Sequence, residues 1–251
     1  MRKLKNINPK LSAVGALVVL VLLLELVVRL FAIPAWLLPA PSEVLAVLWQ
    51  SRAVLWHHSQ RTVGEAALGL GLAAALGIGV GIATAQSKVL RPILYPLLVI
   101  SQTIPLLVLA PLLAVWLGFG LAPKLIVVVL ACFFPVALDT VVGLEGADRE
   151  MIRLVESMGA DRGQVFWLVK LPQAWPAIFG GLRVAASYCV TAAVVAEWMG
   201  SDRGLGIYLL SSAHAFKTAS VFAGISIIVL ASLFFFALVE ATGKLAPPRE
   251  E

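Results

Sequence analysis

Long apolar runs with almost no charge constrain this chain more than any other feature of its sequence. Several of them, such as residues 12–32 and 122–143, approach or exceed the ~20 residues that a helix needs to cross a bilayer. Of the 251 residues, 61% are hydrophobic and 13% are charged, whereas a soluble domain is about half apolar and about a quarter charged. The composition therefore predicts an all-α, polytopic membrane protein.

The hydropathy pattern predicts about six transmembrane helices, at residues 12–32, 63–86, 93–117, 122–143, 177–198 and 220–242. The first apolar run is too long for a signal peptide and no convincing cleavage site follows it, so we expect an uncleaved first span. The Trp- and Pro-containing segment between the first two spans favours one or two short helices at the membrane surface. Ser42 is a candidate N-cap after Pro41.

The basic residues predict the orientation, since cytoplasmic segments carry an excess of Lys and Arg. With the N-terminus inside, twelve of the 19 basic residues fall on inner segments, six fall on outer segments, and Arg183 lies within the fifth span. This bias predicts a cytoplasmic N-terminus, a cytoplasmic C-terminus and a cytoplasmic loop 145–176. Small residues recur within the spans, and Gly77 and Gly81 have the GxxxG spacing that lets another helix approach closely. Packing within one chain and a dimer seam are both open interpretations of that pair.

Loop 145–176 is the one long charge-bearing segment between strongly apolar runs. Apolar residues recur at helical spacing from Met151 to Met158, and Gly159 can take a left-handed conformation that ends this helix. Asp161 and Gln164 form a capping-box pattern for a second helix, which we expect to stop at Pro172. Taken alone, the pattern is also typical of an amphipathic loop lying on the inner leaflet.

The spacing from Gly159 to Val169-Lys170-Leu171-Pro172 resembles the signature loop of the permease subunits of bacterial ABC importers. In that family the signature is Glu-Ala-Ala, three residues, Gly, nine residues, an aliphatic residue, any residue and Leu-Pro. The segment that carries it forms the coupling helices, which dock on a cytoplasmic ATPase. The family's Glu-Ala-Ala falls on Arg153-Leu154-Val155, so its acidic residue is replaced by a basic one. The resemblance implies that ATPase coupling is carried by Arg153, Leu154, Val155, Glu156, Gly159, Asp161, Leu171 and Pro172.

The resemblance extends over nearly the whole chain, through LLPAPSEVLAVLW, SQTIPLLVLAPLLAVWLGFGLAPKL and VVAEWMGSDRGLG. It implies a type I ABC importer permease (MetI-like) of the bacterial inner membrane. Residues 1–62 would hold the first span and the interfacial segment, residues 63–242 the transmembrane domain with coupling loop 145–176, and residues 243–251 a cytoplasmic tail. The implied partners are an ABC ATPase, an extracytoplasmic binding protein and a second permease copy that completes a homodimer, within the lipid bilayer.

 No nucleic-acid partner is predicted, because the basic residues cluster at helix ends and do not form a stripe interleaved with aromatic residues.

EWMGSDRGLG and the following SSAHAFKT resemble the permeases for thiamine pyrimidine precursors and riboflavin more than those for sulfonates. A heterocyclic vitamin or its precursor is therefore the predicted substrate, and taurine, alkanesulfonate or nitrate is the alternative. A different class, an ion-driven secondary transporter, would show inverted repeats and midplane charges, and the sequence shows neither clearly. The chain has no GxxxxGK[ST] motif for binding ATP, so we expect a separate ATPase and no enzymatic activity in this subunit.

Polar residues within the spans are the other candidates for function, because intramembrane polar groups are costly. Ser101, Gln102 and Thr103 precede Pro105 and could line a pathway or satisfy the backbone groups that the proline frees. Glu197 could line the pathway, gate its outer end or make a structural hydrogen bond. Glu65 is expected to face interfacial water at the outer edge of the second span. No spacing of His, Cys or carboxylates predicts a metal site, a catalytic residue or a cofactor.

Overall fold

The structure is a computed structural model that describes residues 9–244. Within this range the chain is helical and contains no strand, which confirms the predicted all-α class. The helices are α1 (Pro9–Leu30), α2 (Pro41–Gln50), α3 (Arg52–Gln86), α4 (Arg91–Thr103), α5 (Leu106–Leu117), α6 (Leu121–Glu145), α7 (Arg149–Ser157), α8 (Arg162–Val165), a π-helical turn (Phe166–Lys170), α9 (Leu171–Glu197), α10 (Leu205–His214) and α11 (Thr218–Gly243).

In the described range, four continuous helices are long and apolar enough to cross a membrane: α3, α6, the helix Arg162–Glu197 and α11. Helices α4 and α5 meet this test only as a pair, and they are bent by 97° relative to each other. The third span, predicted as one segment at 93–117, is therefore broken, since Pro105 cannot donate a helical hydrogen bond and forces Ile104 into an extended conformation. The count of six spans stays a prediction, with α1, at 22 residues, as the first of them.

Contacts divide the described chain into two compact units: the residues up to His57 together with Tyr208–Ser226, and His58–Ile207 together with the residues from Ile227 onward. In the second unit, α3 and α6 run in the same direction. A Cβ placed on Gly77 would lie 2.9 Å from the Cβ of Val136, and a Cβ placed on Gly81 would lie 2.5 Å from the Cβ of Thr140. The GxxxG pair is therefore used for close packing within the chain, which is the first of its two interpretations.

Helix α9 runs antiparallel to α6. Gly143, near the end of α6, lies against Ala174 near the start of α9, and the Cys132 thiol lies 3.4 Å from the carbonyl oxygen of Ala185, to which it donates. The residues buried between α3, α6 and α9 are mostly Ala, Val and Cys, so the helix backbones approach closely. Helices α6 and α9 thus form the centre of the second unit.

Helix α11 runs antiparallel to α9, because Gly243 at its end lies against Phe179 while Ile228 shares a groove with Thr191.

The direction of α6 determines how the broken pair of α4 and α5 connects the helices. Since α3 and α6 are parallel, the chain has to return between Gln86 and Leu121, and α4 and α5 together make that return. The loop between α6 and α9 then lies at the same end of the unit as the end of α11.

The first unit contains α1, α2 and residues 208–226, and Glu25 joins α1 to α2. The Glu25 carboxylate lies 2.5 Å from Nε of Arg29, four residues further along α1, and it accepts hydrogen bonds from the backbone N–H and the hydroxyl of Ser42. The prediction that Ser42 caps α2 is wrong. The helix begins at Pro41 with Ala40 as its N-cap, because proline suits the first helical position and Ser42 is already inside the first turn.

Candidate functional site

The first half of loop 145–176 is a short helix with two different faces. Asp148 caps α7 by accepting a hydrogen bond of 2.7 Å from the backbone N–H of Glu150. Gly159, with φ of +89°, follows the end of the helix in the left-handed region, which confirms the predicted turn. Three apolar side chains of this segment are exposed: Met151 by 44%, Leu154 by 55% and Met158 by 79%. Large apolar side chains displayed together in this way are typical of a contact surface.

The second half of the loop is continuous with α9. Asp161 and Gln164 make the predicted capping box, with reciprocal hydrogen bonds of 2.8 and 2.9 Å. The helix that they start does not stop at Pro172, so that prediction is wrong. A π-helical turn at Phe166–Lys170 widens the backbone, and the N–H of Leu171 bonds to the carbonyl of Phe166. Pro172 then lies in the first turn of α9.

The residues predicted for ATPase coupling fall into two groups. Arg153, Leu154, Glu156 and Asp161 are exposed, and Val155 is half-buried on α7. Leu171 and Pro172 are half-buried, and Leu171 packs against the buried cluster of Leu144, Phe166, Ala174 and Ile178 at the base of the loop. The exposed group can contact a partner, whereas Leu171 and Pro172 anchor the loop to the helices.

A cavity of about 460 Å³ opens between α4, α5, α6 and α9. Two of the residues predicted for the pathway, Ser101 and Gln102, line it together, but Thr103 is not among its lining residues, and its hydroxyl donates to the carbonyl of Ile100. Among the lining residues in the described chain none is charged. The indole nitrogen of Trp198, another lining residue, is buried and has no hydrogen-bond acceptor within residues 9–244.

Glu197 does not line this cavity. Its side chain is fully buried and accepts hydrogen bonds of 2.6 Å from the hydroxyl of Thr62 and of 2.6 Å from the backbone N–H of Gly206. The Thr62 hydroxyl also lies 2.8 Å from the N–H of Leu205, from which it accepts. Of the alternatives for Glu197, the geometry supports the structural hydrogen bond, which fixes the start of α10 to α3.

Glu65 lies in the same region and is buried, so the expectation that it faces interfacial water is wrong. The Lys124 ammonium donates to the Glu65 carboxylate at 3.1 Å and to the hydroxyl of Ser201 at 2.7 Å. Nε of Arg61 lies 2.7 Å from the same oxygen of Glu65. Sequence reasoning missed this cluster because Lys124 lies 59 positions from Glu65, although the i,i+4 spacing of Arg61 and Glu65 was a signal that could have found part of it. Residues 9–244 contain no cluster of three or more His, Cys, Asp or Glu that could hold a metal ion.

Comparison with known proteins connects this geometry to a family. Residues 75–245 match the family model described as binding-protein-dependent transport system inner membrane component. The chain belongs to this family. As a binding-protein-dependent transport component it is a multi-pass inner-membrane permease subunit of an ABC importer, and it is not an enzyme.

Three curated relatives of this transport component cover most of its length. The riboflavin transport system permease protein of Chloroflexus aurantiacus is 37% identical, over an alignment that covers 93% of this chain and 89% of the relative. The taurine transport system permease protein of Escherichia coli is 34% identical, over 94% of this chain and 88% of the relative. The formylaminopyrimidine transport permease protein of Halalkalibacterium halodurans is 32% identical, over 91% of this chain and 92% of the relative. The names of these relatives span several substrates.

Solved structures show the fold. A chain of the inward-facing MetNI methionine ABC transporter superposes with a TM-score of 0.66 at 16% identity, covering 81% of this chain and 99% of that chain. A chain of an amino acid ABC transporter with histidines gives a TM-score of 0.65 at 14% identity, covering 79% and 97%. The predicted MetI-like architecture of type I importer permeases is thereby confirmed.

Proposed function

We propose that this permease forms the translocation path for a small uncharged heterocycle, a thiamine pyrimidine precursor or riboflavin. In this proposal an extracytoplasmic binding protein delivers the solute, a second copy of the chain completes the path, and a cytoplasmic ATPase supplies the energy. The names of the riboflavin and formylaminopyrimidine relatives agree with such a substrate. The taurine relative keeps a sulfonate as the alternative.

The residues that line the 460 Å³ cavity favour the heterocycle over the sulfonate. An anion that leaves water needs a cationic partner or several hydrogen-bond donors, since an unpaired buried charge is costly. The cavity offers no Lys or Arg among its described lining residues, and instead presents the aromatic rings of Phe134, Tyr188 and Trp198. Flat rings stack favourably on aromatic side chains. This surface therefore suits an uncharged heterocycle better than a sulfonate or nitrate.

In this proposal, the indole nitrogen of Trp198, which is buried and has no acceptor among residues 9–244, becomes the donor to such a ring when the solute binds. A buried N–H without an acceptor costs about 1–3 kcal/mol, so a ring nitrogen or carbonyl oxygen that accepts from the indole nitrogen would recover that loss. The amide of Gln102 and the hydroxyl of Ser101 line the same cavity and supply further polar contacts. A few convergent polar groups within mainly apolar walls are typical of small-molecule sites.

We assign the ATPase-binding role to the exposed part of loop 145–176. Met151, Leu154 and Met158 form an apolar face that nothing in the described chain covers. The excess of basic residues on the same side supports a cytoplasmic location. An apolar helix face that inserts into a groove of a partner is a recurring mode of recognition. An ATPase bound here would act directly on the helix that leads into α9.

The test is uptake by proteoliposomes that contain this permease, its ATPase and its binding protein. We expect ATP-dependent uptake of riboflavin or formylaminopyrimidine and no uptake of taurine. Trp198→Phe keeps the ring and removes the donor, so it should lower uptake efficiency roughly threefold to tenfold, the worth of one hydrogen bond. Trp116→Phe, at an exposed position of α5, is the matched control and should have no effect. ATP-dependent uptake of taurine alone would refute the substrate assignment, and uptake driven by an ion gradient without ATP would favour the secondary transporter.

A further inference from the structure

A second concave site, lined by polar and basic residues, lies at the end of the helices where loop 145–176 begins. It has a volume of about 440 Å³ and is formed by the turn between α3 and α4, the end of α6, the start of α7 and the π-helical turn. Four cations line it: Lys88, Arg91, Arg149 and Lys170. These residues are far apart in the sequence, and the fold brings them together.

The charges of this basic pocket are not balanced within the described chain. Glu145 is its one acidic lining residue, and its carboxylate lies 2.8 Å from Arg91. The nearby Asp148 is used as the N-cap of α7, where it accepts backbone hydrogen bonds. Lys88, Arg149 and Lys170 form no ion pair with any described residue. The pocket thus has three cations available for an anionic ligand.

We propose that the basic pocket binds the phosphate headgroup of an anionic phospholipid of the inner leaflet. The pocket lies where α3 and α6 end, at Gln86 and Glu145, which is the depth at which headgroups meet apolar helices. Basic pockets between transmembrane helices on the cytoplasmic side are suited to anionic headgroups. The proposal rests on the proposed cytoplasmic orientation of loop 145–176.

The surface next to the pocket favours a lipid over a free phosphate ion. Val89, between the pocket residues Lys88 and Arg91, is exposed by 73%, and Ile93 is exposed by 55%. Leu97 and Ile100 continue this exposed apolar surface along α4. Acyl chains can lie against these side chains while the phosphate contacts the cations. Inorganic phosphate has no apolar part, so these apolar side chains would not strengthen its binding.

The position of the ligand has a consequence for the permease. Arg149 is the first residue of α7, and Lys170 is the last residue of the π-helical turn, so one headgroup would contact both ends of loop 145–176. It would also contact the turn that follows α3. An anionic lipid bound there holds the base of the loop to the transmembrane helices.

Native mass spectrometry of the full-length permease in detergent tests the proposal, with phosphatidylglycerol, phosphatidylcholine or inorganic phosphate added as the probe. We expect phosphatidylglycerol to bind more tightly than phosphatidylcholine. Each cation near the surface contributes about a fivefold effect, so the triple variant K88Q/R149Q/K170Q should lose about a hundredfold in affinity. The control R153Q/R162Q/K244Q removes three basic charges outside the pocket and should leave binding unchanged.

Because Lys88 is exposed, K88Q alone should fold normally and lose about fivefold in affinity, which tests the proposal even if the triple variant does not fold. Equal losses in the pocket and control variants would overturn the proposal, and so would inorganic phosphate that displaces the lipid at equal concentration. Normal lipid binding by the triple pocket variant would also overturn it, and loss of the ATPase subunit from that variant in a parallel pull-down would assign the pocket to an acidic protein partner. Since the assay needs neither ATP nor solute, its failure is distinct from a failure of the proposed transport function.

Discussion

The buried pair of Glu65 and Lys124 gives the sharpest test of the packing in this permease. Only 1% of the Glu65 side chain and 7% of the Lys124 side chain are exposed, and Nζ lies 3.1 Å from Oε1. Removing one partner of a buried ion pair leaves a charge without compensation and costs about 3–5 kcal/mol. The two single variants should differ within this range, because the remaining charges have different surroundings.

In Lys124→Met, Glu65 still has Arg61 at 2.7 Å, so we expect a loss of about 3 kcal/mol in the free energy of unfolding. In Glu65→Leu, which removes both carboxylate oxygens, the ammonium of Lys124 keeps only the Ser201 hydroxyl, so we expect a loss of about 5 kcal/mol. The double variant replaces both charges and should lose less than either single variant.

Unfolding in increasing SDS, followed by the fluorescence of the seven Trp residues, measures these free energies. The double-mutant cycle compares the loss in the double variant with the sum of the losses in the single variants. If the two losses simply add, or if both single variants lose less than about 1 kcal/mol, the charges do not depend on each other and the reasoning from burial is wrong.

Two further predictions concern the α3–α6 contact and loop 145–176. Gly81→Ala places a methyl group 2.5 Å from the Cβ of Thr140 and should destabilise the permease by about 1–3 kcal/mol in the same SDS assay, whereas Gly79→Ala, with open space around it, should be neutral or slightly stabilising; equal losses would contradict the close packing. Leu154→Asp should uncouple ATP hydrolysis from uptake in proteoliposomes, because it charges the exposed apolar face of α7. Normal uptake with the ATPase still bound would contradict the coupling role.

Local patterns in the sequence predicted the structure well where neighbouring residues determine it. Gly159 ends α7 in the left-handed region, and Asp161 with Gln164 caps the next helix, since both features depend on residues within one turn. Hydropathy likewise located the long helices, because twenty apolar residues in a row have few alternatives in a membrane protein.

Interactions between distant residues could not be predicted from a single sequence. Glu65 looked like an interfacial residue because its partner Lys124 belongs to another helix. Glu197 was a candidate for the pathway, and only the fold shows that Thr62 and Gly206 occupy its oxygens. The cavity without charged lining residues could not be predicted either, because its walls come from four helices.

The continuity of the helix through Pro172 changes how loop 145–176 can act on the membrane region. A stop at Pro172 would have left a flexible joint between the loop and the fifth span. Instead, Arg162–Glu197 is one helix of 36 residues, about 54 Å long at 1.5 Å per residue. Trp198, which lines the cavity, follows directly at its far end. A displacement of the loop by the ATPase would therefore reach Trp198 through a single helix, with the π-helical turn at Phe166–Lys170 as the place where that helix bends most easily.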